Sequence, residues 1–183
     1  MRKLLYTLLL LGFAVYCGLP VTPVAAAPQQ STIAVILLGS PEYLRPDYYD
    51  ISTESLLKRF PADTHRLIIG DYPQQMFDRY CDKLGLAPGE IPTEEKLSEF
   101  AWVHSFNRVL FILLTAPTVK SNQLTIQIEN PEVTITARAL LFDSRTKKKL
   151  ADANNTQRVK TLGRGTAKRA TFRKCMDALQ SQL

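Results

Sequence analysis

The sequence predicts a single α/β domain in which a mixed parallel and antiparallel sheet of five or six strands is flanked by helices. Three observations support this fold class. Apolar, β-branched runs alternate with helical patterns in the first half, which is typical of parallel strands joined by crossover helices. In the second half, apolar and polar residues alternate, which indicates half-buried antiparallel strands. The chain then ends in an amphipathic helix.

The predicted elements follow from the periodicity and from the punctuating residues. The first strand, TIAVILLG, is a continuous apolar run, so we expect it at the centre of the sheet. One helix has Pro73 in its first turn and Gly85 directly after it, and another starts after the potential N-cap Thr93. In order, we predict strand 32–39, loop 40–50, helix 52–60, strand 65–70, helix 73–84, helix 94–104, strand 108–114, a hairpin within 124–142, edge strand 149–159 and helix 166–183.

Residues 123–150 (QLTIQIENPEVTITARALLFDSRTKKKL) predict the hairpin and the turn that follows it. Apolar residues alternate with polar ones from Leu124 to Ile128 and again from Val133 to Leu141, which is the period of a strand. Pro131 has no N–H to donate, so it belongs in the connection. Near Leu140 the second strand becomes apolar on both faces, which predicts cover on both sides.

The end of that strand, ALLFDSRTKKKL, carries turn chemistry, because the Asp143 carboxylate can bond to backbone N–H groups just downstream. The motif resembles the strand, Asp, any, any, Thr, Gly or Lys, basic hairpin of small envelope domains. These include the curli-secretion lipoprotein family and the N-terminal domain of the periplasmic Tol translocation protein. Lys147 stands where that pattern usually has Gly. The resemblance implies an envelope domain that binds or assembles with other proteins.

Residues 1–26 have the features of a secretory signal peptide. Met1-Arg2-Lys3 is basic, residues 4–15 are apolar, and small residues at 24–27 form an A-x-A-like cleavage site. We expect export to the periplasm or cell exterior, cleavage after Ala26, a flexible lead at 27–31 and one domain at 32–183. Two alternatives stay open. One is an uncleaved membrane anchor, although a spanning helix needs about 20 apolar residues, and the other is a lipoprotein modified at Cys17.

Two cysteines remain after the predicted cleavage, Cys81 and Cys175. Both lie on the apolar side of predicted helices, so we expect both to face the same interior. An even count in an oxidising compartment permits one disulfide between them. The alternative is two buried free thiols.

Positive charge is concentrated at the C-terminal end. Residues 28–142 carry 10 Lys and Arg against 14 Asp and Glu, whereas residues 143–183 carry 11 against 3. This predicts a basic face that contacts an acidic envelope protein or an anionic envelope surface. The competing interpretation is that lysines protect an edge strand from edge-to-edge association. The predicted partner-binding residues are Arg145, Lys147, Lys148, Lys149, Arg158, Lys160 and Arg164.

The sequence has no pattern typical of a catalytic, metal or cofactor site. It has no Cys/His cluster with zinc spacing, no calcium loop, no G-x-S-x-G elbow and no Gly-rich phosphate loop. His104 falls on an apolar helix face, which favours a core histidine. Residues 163–166 (GRGT) are the nearest candidate for anion binding at a helix start, against a loop that needs permissive backbone. We predict no catalytic residue, no metal, no cofactor and no nucleic-acid partner.

We therefore expect a non-catalytic binding or assembly module of the cell envelope rather than an enzyme. The alternative is a periplasmic small-ligand-binding protein or hydrolase, with a pocket at the strand ends near the tyrosine-rich loop 40–50. In that loop Tyr43, Tyr48 and Tyr49 either line such a pocket or cover the core. The sequence leaves the partner, the strand order and the oligomeric state open.

Overall fold

The computed structural model describes residues 30–120, 123–125 and 128–183, and for residues 123–125 and 128–129 it describes the backbone only. The predicted signal peptide and most of the predicted lead lie outside these residues and stay predictions. The elements are β1 (Ser31–Gly39), a 3₁₀ turn (Pro41–Tyr43), α1 (Pro46–Leu57), β2 (His65–Ile68), α2 (Asp71–Lys83), α3 (Glu94–Val103), β3 (Arg108–Leu114), β4 (Thr118–Lys120), β5 (Gln123–Thr125), β6 (Ile128–Glu129), β7 (Glu132–Asp143), β8 (Lys148–Lys160) and α4 (Arg164–Gln180).

Six strands form one mixed sheet, which confirms the predicted fold class. The strand order is β2-β1-β3-β7, with β8 along the outer side of β7 and β4 paired to the beginning of β7. Strand β1 is parallel to β2 and β3, and β7 is antiparallel to β3 and β8. At the end of β1, Gly39 has φ +117°, and a Cβ there would lie 2.0 Å from the Leu114 carbonyl oxygen. Only glycine lets β1 end this close to β3.

Helices cover the sheet on both faces. On one face α1 and α4 bury alternate residues of β1, β3 and β7, together with Phe172, Cys175 and Met176 of α4. On the other face α2 and α3 bury the intervening residues, packed around Phe77 and Phe100. The continuous apolar runs of β1 and β3 are explained by this double cover.

The tyrosines of the predicted loop 40–50 belong to the α1/α4 face. Tyr43 and Tyr48 are buried, and the ring of Tyr43 stacks on Phe172 with centroids 5.4 Å apart. The Tyr43 hydroxyl donates to the Thr115 carbonyl oxygen at 3.0 Å, which satisfies its polar tip. Residues 46–50 are helical rather than loop, because Pro46 occupies the first helical position, where its fixed φ suits the helix.

The predicted pairing of the hairpin is wrong. Strand β7 pairs with β3, β4 and β8, whereas β5 pairs with β6 in a separate two-stranded sheet. Near Leu140, β7 is apolar on both of its faces. This part of the strand therefore lies inside the sheet, next to the buried strand β3. Residues 126–127 of the predicted first strand lie outside the described residues. Strand β8 is an edge strand as predicted, but it runs for 13 residues.

Candidate functional site: the turn between β7 and β8

The turn between β7 and β8 is closed by the hydrogen bonds that the sequence predicts. Asp143 Oδ1 accepts from the Thr146 backbone N–H at 2.7 Å and from the Thr146 hydroxyl at 2.8 Å. These bonds favour the carboxylate and lower the pKa of Asp143. Lys147 then takes the left-handed conformation, with φ +58°, which suits the Gly of the resembled motif better. The turn is therefore well defined, although its Lys147 backbone is strained.

The strained backbone places the Lys147 ammonium over an exposed aromatic ring. Lys147 Nζ lies 3.5 Å from the ring centroid of Trp102 in α3. The side of α3 that bears Phe100 and Ala101 packs on the sheet, so Trp102 and Val103 are 49% and 61% exposed at its end. A cation over a partly exposed ring contributes about 0.5–1 kcal/mol. The contact therefore holds the tip of the turn against the end of α3.

The turn is also tied to the first residues of β1. The Ser144 backbone N–H donates to the Asn107 carbonyl oxygen at 3.0 Å. The side-chain oxygen of Asn107 in turn accepts from the Thr32 backbone N–H and from the Thr32 hydroxyl, both at 2.8 Å. The turn and the beginning of β1 thus lie at the same edge of the sheet. We call Trp102, Val103, Arg145, Lys147 and Lys148 the turn edge.

Lys149 follows the turn edge in sequence but belongs to an ion-pair network. Its Nζ lies 3.0 Å from Glu94 Oε2 and 2.9 Å from Asp152 Oδ2. Arg138, which the sequence analysis did not single out, donates from Nε and Nη2 to the two Asp152 oxygens at 2.9 and 2.6 Å, and from Nη2 to Glu94 at 2.6 Å. Hydrogen bonds from Arg138 and Lys149 hold the pKa of Asp152 well below its usual range. The network joins α3 to β7 and β8, so Lys149 is neutralised within the molecule.

The remaining predicted basic residues lie at the other end of β8. A strand of 13 residues spans about 40 Å at about 3.3 Å per residue, which separates Arg158, Lys160 and Arg164 from the turn edge. Arg158 Nε also lies 3.6 Å from Glu132 Oε1. The seven predicted residues therefore do not form one face, because closeness in sequence along an extended strand is not closeness in space.

Three cations of α4, which are Lys168, Arg169 and Arg173, form ion pairs within the molecule too. Lys168 Nζ lies 2.6 Å from Glu42 Oε2, and Arg173 pairs with Glu54. Within the described part of the chain, Arg145 and Lys148 have no ion-pair partner, and Lys147 contacts the Trp102 ring. Lys160 and Lys174 also form no ion pair among the described residues, but the turn edge combines two such cations with a half-exposed aromatic ring.

A second feature is a cavity of about 260 Å³ at the carboxyl end of β1. It lies between the end of β1, α2 and the loop at residues 86–91. Pro41 and Leu44 of the predicted loop 40–50 contribute to its wall, whereas Tyr43 and Tyr48 are buried on the opposite face. In the order β2-β1-β3 the connections after β1 and β3 leave in opposite directions, and ligands of open α/β sheets bind at such a point.

Both cysteines of the domain are free thiols, and they lie on opposite faces of the sheet. Cys175 of α4 is fully buried between that helix and the sheet. Cys81 of α2 packs against the cluster on the α2/α3 face and lines the cavity. The expectation of a shared interior is wrong, because the sheet itself separates the two helices that carry them. Burial raises the pKa of both thiols to about 11. No disulfide joins Cys81 and Cys175 in this structure.

His104 and Gly163, which the sequence also offered as candidates, have structural roles. The His104 ring packs on Phe100 with centroids 4.3 Å apart, and burial lowers its pKa. Gly163 has φ +81° before α4, so this glycine is needed for the backbone conformation. Among the described residues, no group of three or more His, Cys, Asp or Glu could hold a metal ion, and no helix is long and apolar enough to span a bilayer.

Comparisons with known proteins give structural likeness without sequence likeness. The chain matches no protein-family model and no curated protein. A hypothetical protein of Chlamydia trachomatis, CT253, is similar with a TM-score of 0.47 at 14% identity, over 84% of this chain and 98% of that one. The lipoprotein GNA1162 of Neisseria meningitidis gives 0.42 at 17% identity, over 76% and 92%. The C-terminal domain of LpoB from Salmonella enterica gives 0.36 at 12% identity, over 72% and 85%. Likeness of this degree assigns no function to the chain.

Proposed function

We propose that the chain is an exported cell-envelope protein that acts as a binding and assembly module and docks an acidic partner protein through the turn edge. The observation that carries the proposal is the arrangement at the turn. A half-exposed Trp102 is fixed under the Lys147 ammonium, beside two cations, Arg145 and Lys148, that no described residue neutralises.

An acidic protein surface is the partner that this arrangement suits best. Binding hot spots are enriched in Trp and Arg. Such residues contribute more when they are already ordered before the partner binds. The Trp102 ring offers apolar area, and the surrounding cations favour carboxylates and speed the encounter. The turn is closed by Asp143 and anchored on Asn107, so little conformational entropy is lost when a partner binds.

The location of the turn edge also affects how the domain would be oriented toward a membrane. Strand β1 starts at this edge with Ser31, so the point at which the domain joins the preceding chain lies beside the docking surface. A retained anchor or a lipid on Cys17 would then hold the turn edge toward the membrane side, where envelope complexes assemble. The likeness to the curli-secretion and Tol domains rests on this same turn, and we propose the same general role.

The proposal is tested by site-specific photocrosslinking in cells. A photoreactive phenylalanine replaces Val103 at the turn edge or, as a control, Lys160 at the far end of β8. We expect one acidic envelope protein to be captured from position 103, in a salt-sensitive manner, and not from position 160. Mass spectrometry identifies the adduct, and a lipid or polymer adduct from position 103 would overturn the choice of a protein partner.

Two charge-matched double variants make the test specific. Lys147→Gly with Lys148→Gln removes two charges at the turn edge, and Gly is well suited to the left-handed backbone at 147, so the turn is preserved. Arg158→Gln with Lys160→Gln removes two charges at the far end. Only the first pair is expected to reduce the crosslink, by ten-fold or more. Equal crosslinking in both variants would refute the role of the turn edge.

A second candidate function is small-ligand binding in a pocket near loop 40–50. The cavity at the carboxyl end of β1, with Pro41 and Leu44 in its wall, favours it. The two functions use opposite ends of the sheet and do not exclude each other.

A further inference from the structure

We propose that the cavity at the carboxyl end of β1 binds a small primary amine, a protonated ammonium group on a compact apolar body. This inference rests on the second candidate function and is independent of the turn edge. Three properties of the cavity point to this class of ligand: its apolar interior, the carboxylates at its rim and the amide oxygen of Gln74.

The interior of the cavity suits an apolar group. Leu37 and Leu38 at the end of β1 and Phe77 of α2 are buried around it, and Leu44 and Leu86 complete the wall from two loops. Its volume of about 260 Å³ is slightly below the range of about 300–1,000 Å³ that is usual for ligand sites. A short alkyl chain or a single ring is therefore the size of body that it accepts.

All the charged residues of the cavity wall are acidic. Asp78, Asp82 and Glu90 line it at its solvent-exposed rim, and no Lys or Arg does. Within the described residues none of the three forms an ion pair, since Asp78 accepts only from the Gln74 amide at 3.3 Å and Glu90 from the Ala87 N–H at 3.1 Å. An anionic ligand would be repelled by this rim, whereas a cation is attracted to it and can form charge-assisted hydrogen bonds with its carboxylates.

The amide acceptor is the side-chain oxygen of Gln74, a residue that is only 8% exposed and also lines the cavity. Its amide nitrogen donates to Asp78 Oδ1, and its side-chain oxygen accepts no hydrogen bond from the described residues. Gln74, Asp78 and Asp82 are spaced four apart on α2, so they form one row on the same side of the helix. An ammonium has three N–H donors to offer, and this row presents oxygens to match them.

The pKa of the Cys81 thiol reflects the negative charge around the cavity. Burial is the main cause that raises the pKa of its thiol to about 11, and the charges of Asp78 and Asp82 raise it further. The negative potential that disfavours a thiolate favours an ammonium in its place. Cys81 is also a useful probe, because it lines the cavity, whereas Cys175 is fully buried and serves as an internal reference.

Calorimetry with three probes of the same length tests the ligand class. We expect hexylamine to bind the purified protein, hexan-1-ol to bind at least ten-fold more weakly, and hexanoate not to bind. Hexylamine should also slow the alkylation of Cys81, followed by mass spectrometry of its peptide, without changing Cys175. Equal binding of the amine and the alcohol, or no protection of Cys81 at millimolar amine, would overturn the proposal.

Variants separate this site from other effects. Asp78→Asn is expected to weaken the affinity for hexylamine at least ten-fold. Asp63→Asn, which changes an exposed carboxylate outside the cavity wall, is expected to leave the affinity unchanged. Both variants are checked for an unchanged thermal unfolding midpoint, and Gln74→Leu gives a second test if Asp78→Asn is unstable. The turn-edge variants should bind hexylamine like the wild type. Loss in Asp63→Asn as well would contradict a local site.

The ammonium could belong to a free amine or to a lysine side chain of another protein. Acetyl-lysine-N-methylamide, acetylated on its α-nitrogen, compares the two sources, because it carries the side chain within a peptide-like frame. Tighter binding than hexylamine would identify a lysyl side chain as the ligand, and weaker binding would identify a free amine. The shared chemistry is contradicted if neither probe binds.

Discussion

The helices cover one face of strands β7 and β8 much more completely than the other. On the α1/α4 face, Val133, Ile135 and Ala137 of β7 are fully buried under α4. On the other face, α2 and α3 cover β1 and β3 but stop at the Glu94–Arg138 ion pair, so most of β7 and β8 beyond it is open. The open side is occupied by Thr, Asn and charged residues that bond across the strands. The difference shows that one strand pair serves as core on one side and as a solvated surface on the other.

The largest effect is expected in the covered face. Phe172→Ala removes a fully buried ring that contacts Tyr43 and Tyr48, and we expect a loss of about 3–5 kcal/mol in the free energy of unfolding. Urea denaturation measures it, with Phe172→Leu as a control that keeps most of the volume. A loss of less than about 1 kcal/mol would show that the α1/α4 face is not the main core.

A smaller effect is expected at the border of the two regions. Arg138→Gln breaks the contacts to Asp152 and Glu94, and we expect a loss of about 1 kcal/mol, since networks of partly exposed ion pairs contribute little. Hydrogen exchange of α3 amides should increase more than exchange of α4 amides. If both helices responded equally, the network would not be what holds α3 at this border.

The same network predicts a pH dependence. The pKa values of Asp152 and Glu94 are lowered in the folded protein by hydrogen bonds from Arg138 and Lys149. Their contribution to stability is present above the unfolded pKa values of about 3.9 and 4.3, and it is lost as the pH falls through the folded values. The stability advantage of the wild type over Arg138→Gln should therefore shrink on acidification below about pH 4. Thermal unfolding of both proteins measures it, and a constant difference would contradict the assignment.

The smallest effect is expected on the open side. Thr136 and Thr156 share a hydrogen bond at 2.9 Å between their hydroxyls, exposed to solvent. Thr156→Val keeps the β-branched shape, so we expect a change within about 0.5 kcal/mol by urea denaturation. A loss above about 2 kcal/mol would contradict the solvent-exposed state of this side of the sheet.

The sequence predicts the elements better than their partners. Strand β3 was predicted at its observed bounds, and Asp143 closes its turn as expected, because both depend on nearby residues. The pairing of residues 124–129 with β7 was wrong, since β3 competes for the same edge and nothing local reveals that. The role of Arg138 was missed for the same reason, as its partner Glu94 is 44 positions away.

The candidate site shows the same limit. Counting charges located the basic segment, but only the structure distinguishes Lys147, stacked on Trp102, from Lys149, which is neutralised two positions later. Trp102 itself carried no signal in the sequence, because a single aromatic residue at a helix end is equally compatible with burial. The row of Gln74, Asp78 and Asp82 on α2 could have been recognised from its four-residue spacing.

The packing of α4 on α1 has a consequence for how the chain folds. Ser55 donates to Asp177 across 122 positions of sequence, and Thr32 contacts Asn107 across 75. Contacts between such distant positions form slowly, because the intervening chain loses its entropy before they stabilise anything. The interior that α1 begins is completed only when α4, which follows all the other described elements, packs on it. For a chain that we propose is exported, this order keeps the polypeptide unfolded, and so able to cross a membrane as an extended chain, until α4 is available.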